Sequence, residues 1–196
     1  PEAEFADGER AEADIPGAVT GTPDDSCFER EVSLYDSGSV EEYEIGIDID
    51  DGVDFDEDDN GSLNLTLVRS VISGNYDEGV DMDEAGLGDA NLTYIDTRSY
   101  ANADDGFKMS EEGGGHIVAM VDGSVARDNG GKGFVFEEEQ GGDVRVHALN
   151  VHTVNNDDSD DTGFEVVQED GGQGELIVEA SQIDDGIEAE GVSVQQ

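Results

Sequence analysis

Asp77-Glu78-Gly79-Val80-Asp81-Met82-Asp83-Glu84 returns one period later as Asp104-Asp105-Gly106-Phe107-Lys108-Met109-Ser110-Glu111. The glycine of this string recurs at Gly52, Gly79, Gly106 and Gly133, each 27 residues from the last, and then at Gly163 and Gly186 after steps of 30 and 23. Two further columns keep the 27-residue step: Gly61, Gly88, Gly115 and Gly142, and Asn75, Asn102, Asn129 and Asn156. A fixed period of this length marks an array whose units bury their apolar faces only against one another.

Each unit resolves into three short extended segments. From Tyr43 the alternation Tyr-Glu-Ile-Gly-Ile-Asp-Ile-Asp has the period of two that belongs to a strand. After the first glycine, apolar residues fall at alternate positions: Val53 and Phe55, Val80 and Met82, Phe107 and Met109, Phe134 and Phe136, Phe164 and Val166, Ile187 and Ala189. The residues between them are expected to face solvent. An acidic, glycine-rich turn leads to a second strand, carried in successive units by Leu63, Ala90, Ile117 and Val144 and the alternate residues after each. A third segment holds Ile72, Ser99, Ala126 and Thr153, three residues before each asparagine. Three strands and three turns in 27 residues predict one coil of a parallel β-helix, about six coils in all. Residues 45–196 form this solenoid, and residues 1–44, which do not fit the repeat, are expected to be a lead-in and cap over its first coil.

The strings Asn75-Tyr76-Asp77-Glu78-Gly79-Val80, Asn102-Ala103-Asp104-Asp105-Gly106-Phe107 and Asn129-Gly130-Gly131-Lys132-Gly133-Phe134 resemble the repeat of the pectate-lyase-like superfamily. In that family an asparagine, a few small residues and a glycine followed by an apolar residue recur along a right-handed parallel β-helix. The resemblance covers roughly residues 45–194. It implies the fold and leaves the activity open, since the family includes lyases, hydrolases, epimerases and adhesins.

With 52 acidic residues against 8 basic ones, the formal charge is −44 in a chain of 196 residues. Nucleic acid and anionic membrane surfaces are excluded as partners, because both repel a polyanion. No apolar run is long enough for a signal peptide or a membrane span, and the chain, opening on Pro1, reads as a mature or excised fragment. Self-repulsion on this scale calls for high salt or bound divalent cations, and such a surface resembles those of halophilic and marine extracellular proteins. The single Cys27 cannot close a disulfide within the chain and is expected to be a buried small hydrophobe.

Parallel coils stack about 4.8 Å apart, so columns in sequence become ladders in space. The asparagines are expected to hydrogen-bond to one another and to the turn backbone, and the glycines to supply tight-turn backbone geometry. The acidic columns are harder to place. Two carboxylates one rung apart repel by about 0.9 kcal/mol in bulk water and about 3.5 kcal/mol at an effective dielectric of 20. Glu57, Glu84, Glu111 and Glu138 form a column with no cation in it, whereas Asp51, Glu78 and Asp105 end at Lys132, and Asp54 and Asp81 at Lys108. Either the glutamates splay into solvent or they hold calcium, a hard cation that takes six to eight oxygens. Asp56-Glu57-Asp58-Asp59-Asn60-Gly61 begins like a calcium loop, although Leu67 stands where a bidentate glutamate would be needed. A second candidate is the insertion that lengthens one repeat to 30 residues, with Asp157, Asp158, Asp160 and Asp161. His116, His147 and His152 share no column and have no cysteine partner, which suits no transition metal. The four arginines at 69, 98, 127 and 145 are expected to pair with neighbouring acids.

Enzymes of this fold that act on uronate polymers need a basic groove, and this surface has the opposite sign. The Gly-His-Gly and Arg-Ile-Lys strings of polygalacturonase-like hydrolases and the Asp-Pro-His string of mannuronan epimerases are absent. The chain is therefore expected to be a structural or adhesive module, extracellular or at a cell surface, binding calcium through its acidic turns. The partners it implies are divalent cations, a polysaccharide or another protein, and the remainder of a larger chain or another subunit over the C-terminal end. The competing expectation is a carbohydrate-active β-helix hydrolase or lyase acting on a neutral polysaccharide, with two converging carboxylates and aromatic platforms in a groove. A carboxylate ladder that templates a mineral follows from the same columns.

Overall fold

Period-two alternation becomes three parallel sheets wound around one core. The computed structural model describes residues 51–57, 61–156 and 162–196 in full and, before them, the backbone of the strands Phe5–Ala6, Glu9–Arg10, Ala18–Thr20, Phe28–Asp36 and Ser39–Ile47. Cys27, Asp58, Asn60 and the insertion acids Asp157, Asp158, Asp160 and Asp161 lie outside the described residues.

A typical coil starts with a five-residue strand such as Val80–Glu84, turns through glycines, and continues as a six-residue strand such as Ala90–Ile95. It then bends sharply into a three-residue strand such as Arg98–Tyr100 and passes the asparagine corner into the next coil. Six strands stack in the sheet of six-residue strands (the wide sheet) and five in that of three-residue strands (the narrow sheet). The molecule is thus a parallel β-solenoid of five complete coils, with no helix among the described residues. A sixth coil is only begun: Ile187–Glu190 passes through Gly191 alone into Val192–Gln195. The register is the repeat itself, with Val53 opposite Val80, Ala90 opposite Ile117 and Ser99 opposite Ala126. At the other end, Ser39–Ile47 pairs antiparallel with Val53–Glu57, and Phe28–Asp36 and Ala18–Thr20 follow in the same sheet. The edge of the first coil is paired on that side.

The inward residues of the three sheets meet in one column. Phe107, Phe134 and Phe164 stack at centroid separations of 4.7 and 5.2 Å, and Tyr94 tilts against Phe107 at 4.9 Å. Each such ring contributes roughly 1.5–3 kcal/mol through burial, and each ring pair about 0.5–1.5 kcal/mol more. Not every residue between the apolar positions faces solvent: Val135 and Glu165, on the outward side of their strands, are buried as well.

The asparagine corner behaves as a self-complementary ladder. Asn75, Asn102 and Asn129 each donate a side-chain N–H to the Oδ1 of the next asparagine, at 2.8, 2.9 and 2.8 Å. The same oxygens accept the backbone N–H of the preceding rung. Asp185 ends the series by accepting from Asn156 at 2.8 Å. The repeated glycines are required here by space rather than by φ: a Cβ on Gly79 would lie 2.1 Å from Ser99 Oγ and 2.5 Å from the Gly106 carbonyl oxygen. Left-handed backbone forms two other columns, one at Gly74, Ala101, Asp128 and Asn155, with φ of 55–76° directly before the asparagines, and one between the six- and three-residue strands. Arg69, Asp96, Gly123, Asn150 and Ala180 take φ of 50–61° there, and a single residue of this conformation per coil makes the bend.

Candidate functional site

The glutamate column sits inside the solenoid. Counting by two from Val53 and Phe55 reaches Glu57, so the alternation that points the apolar residues inward carries the fifth residue with them. Glu57, Glu84, Glu111 and Glu138 are all 0% exposed, and they do not splay into solvent. One oxygen of each caps its own glycine turn. Glu84 Oε1 accepts from Gly86 and Gly88 N–H, both at 3.2 Å, and Glu111 Oε1 from Gly113 and Gly115 at 3.0 and 3.1 Å. Glu57 Oε1 accepts from Gly61 at 3.2 Å, and Glu138 Oε1 from Gln140 and Gly142 at 3.1 and 2.9 Å. Turn and ladder are packed without slack, since a Cβ on Gly115 would lie 1.5 Å from the Gly88 carbonyl oxygen. In the fifth coil the position is Gln168, whose amide donates to Glu138 Oε2.

A second acidic set lies at the asparagine corner and on the outer face of the first two coils. Asp51, Asp77 and Glu78 each place a carboxylate oxygen within 4.8 Å of the others. Asp51 Oδ1 also accepts the Glu78 backbone N–H at 2.9 Å, and Glu78 is only 8% exposed. Burial, with Asp81 close by, pushes Glu78 up to about 8, and burial raises Asp51 as well. Along the outer face, burial and crowding by like charges push Asp54 up to about 7 and Asp83 to about 6. Asp105, one rung on, is raised by burial to about 6 while its Oδ1 accepts the Lys132 backbone N–H. Lys108 enters this field with its ammonium 3.1 Å from Asp81 and 3.6 Å from Glu78. Burial works against its charge, but those carboxylates outweigh burial and raise its pKa. Lys132 pairs with Glu165 at 2.5 Å.

The geometry sorts the residues expected to bind cations. The four glutamates are brought together as one interior ladder with Oε1 engaged by turn amides. Asp56 lies half-buried on the outer side of Val53–Glu57, next to Asp54 and Asp83. The triad that does gather oxygens at one point joins the end of one Asp51/Glu78 rung to Asp77, a residue the column reading passed over. No single column carries this set: Asp77-Glu78 follows Asn75, and the asparagine corner brings both residues back onto Asp51 of the preceding rung. His147 pairs with Glu179 at 2.9 Å, His152 lies 3.7 Å from Asp184, and His116 Nδ1 accepts the Asp143 N–H at 2.8 Å. Arg145 pairs with Asp143 at 2.6 Å, and Arg127 pairs with Asp128 and lies over the Tyr100 ring at 4.6 Å.

The outer face of the wide sheet has a different character. A shallow groove of about 400 Å³ runs across it, lined by Asn91, Thr93, Val118, Met120, His147 and Ile177 among others, with Glu175 as its carboxylate. No phenylalanine or tyrosine lines it, and the phenylalanines at 107, 134, 136 and 164 all point into the core. Compared with family models, with curated proteins and with solved structures, the chain matches none.

Proposed function

We propose that this chain is an acidic scaffold module, structural or adhesive, that takes up calcium at Asp51, Asp77 and Glu78 and works outside the cell or at its surface. The observation that carries the reading is the convergence of three carboxylate oxygens within 4.8 Å. It occurs where burial and neighbouring acids already hold Asp51 and Glu78 against ionisation. A divalent cation relieves that crowding, and calcium accepts such an oxygen set completed by turn carbonyls and water. The bound ion would also tie the first coil to the second, because Asp51 and Glu78 occupy successive rungs. The asparagine ladder and the Asn-to-Gly strings support grouping the fold with the right-handed pectate-lyase-like β-helices. The groove on the wide sheet gives less support to catalysis on a polysaccharide, since it offers one carboxylate and no phenylalanine or tyrosine to stack on a sugar.

Thermal unfolding in chelator, in millimolar calcium, and in sodium chloride of matched ionic strength tests the reading. A rise with calcium alone, lost in Asp77→Asn, is the expected result; Asp77 is exposed, so this variant keeps the fold. Equal stabilisation of wild type and variant, obtained only with molar salt, would replace the site by general screening.

A further inference from the structure

Four carboxyl groups are stacked in the interior at one per coil, and carboxylates only accept hydrogen bonds. Their Oε1 atoms are satisfied by turn amides. The Oε2 atoms of Glu57, Glu84 and Glu111 are fully buried and receive no N–H. Glu84 lies within hydrogen-bonding reach of the carboxyl groups of both Glu57 and Glu111, and Glu111 of that of Glu138. Four buried anions in such contact would each lose hydration and repel the next, and no lysine or arginine pairs with them among the described residues. The end of the column shows what is missing. At Gln168 the side chain supplies an N–H to the facing Glu138 Oε2, so the one rung with its own donor leaves no orphan oxygen.

We propose that the Glu57–Glu84–Glu111–Glu138 column is an interior proton-binding site in which carboxyl O–H groups, centred on Glu84, donate to the adjacent carboxylates and hold successive coils together at neutral pH. A proton on Glu84 turns two repelling oxygens into a donor and an acceptor, as the amide does at Gln168. Burial and its two carboxyl neighbours push Glu84 up to about 8, and Glu111 is raised by burial as well. Other charged groups stand around the column. Glu112, Glu139 and Glu169 stand just outside its turns, and Asp89, His116 and Asp143 stand where the chain joins the wide sheet. Asp83 and Glu137 face outward from the same strands. The sign follows from a folded-state value above the unfolded one. The stabilisation is complete below the ordinary glutamate range and is lost as pH rises through about 8.

The test uses the full chain and the substitution Glu84→Gln, which keeps the Oε1 acceptor for Gly86 and Gly88 and replaces the titrating proton by a permanent N–H. The variant is expected to unfold roughly 5 °C above the wild type at about pH 9 and to differ little at about pH 5. Asp54→Asn, which removes an outer acid only, serves as the comparison for loss of charge. The wild type is also expected to show an infrared band of protonated carboxyl at neutral pH that weakens in Glu84→Gln. A Glu84→Gln midpoint no higher than that of the wild type at about pH 9, or a neutral-pH spectrum without that band, overturns the proposal. So does a Glu84→Gln loss of stability at every pH combined with calcium dependence that survives Asp77→Asn. That result would place a metal ion in the column and leave the outer site without support.

Discussion

The two ends of the five-residue strand carry two ladders built by the same stacking, and they differ in their supply of donors. At the asparagine corner every side chain brings an acceptor and two donor hydrogens, so each rung satisfies the next and the series can run without charge. At the glutamate turn each ionised side chain brings acceptors only and uses one on its own turn, and Glu57, Glu84 and Glu111 leave the other facing a neighbour of the same kind. A parallel solenoid multiplies whatever a single residue position contributes. An amide column is therefore neutral at any length, whereas a carboxyl column has to take up protons or cations in proportion to the number of coils.

Three substitutions and one condition separate the two corners. The largest effect is expected from Gly115→Ala at the glutamate turn, where the new methyl meets backbone at 1.5 Å and cannot be relieved by a side-chain movement. Circular dichroism of this variant should show loss of the cooperative β-sheet transition. Its counterpart Gly106→Ala, with the Gly133 carbonyl oxygen at 2.6 Å, should still fold but unfold at lower denaturant. Next comes Asn129→Ala, which strands the backbone N–H of Asn102 and one N–H of its side-chain amide, the other staying on Ser99 Oγ. Two buried donors without acceptors cost on the order of 3 kcal/mol, measurable by urea unfolding. That cost should be equal at about pH 6 and about pH 9, because no titrating group is involved; a strongly pH-dependent cost would erase the contrast between the ladders.

The smallest effect per residue is the pH profile of the wild type. Asp83 and Asp105 at about 6, Asp54 at about 7 and Glu78 and Glu84 at about 8 all lie above their ordinary values. Raised carboxyls favour the folded state while protonated, so stability should be greatest below the ordinary carboxyl range, about pH 4, and decline from there through about 8. Calcium should flatten the part of the decline that belongs to Glu78 and leave the part that belongs to Glu84. A midpoint that rose between pH 6 and 8 would contradict both assignments.

The fold was legible because the repeat is written in backbone terms. Glycine and asparagine recur where only small or amide side chains fit, and the middle residues of the short strands, from Ile72 to Thr153, stand where the spacing put them. The complete coils number five because Gly191 alone joins the last two strands, which no period of 27 anticipates. That the glutamates face inward and do not splay into solvent was hidden for a physical reason: alternation reads as an apolar signal and fades where the inward side chain is charged. Glu57, Glu84, Glu111 and Glu138 obey the alternation all the same, because turn N–H groups await them inside. The Asp51, Asp77 and Glu78 convergence was hidden in a different way, since it depends on how a corner folds back across two coils and not on any one column. The left-handed bend was equally silent, because Arg69, Asp96 and Ala180 are not residues that announce such a conformation.

The wide sheet's outer face also has an electrical consequence. Asn91, Thr93, Val118 and Met120 lie on it, with Arg145 beside Glu175, while Asp54, Asp56, Asp81 and Asp83 crowd the outer side of the five-residue strands. Among the described residues the acids of the first two coils thus crowd one flank of the solenoid and leave the wide sheet less charged, which contributes a dipole across its width. Near a positively charged boundary that flank turns inward, so the less charged wide sheet is what a solution beyond the boundary meets.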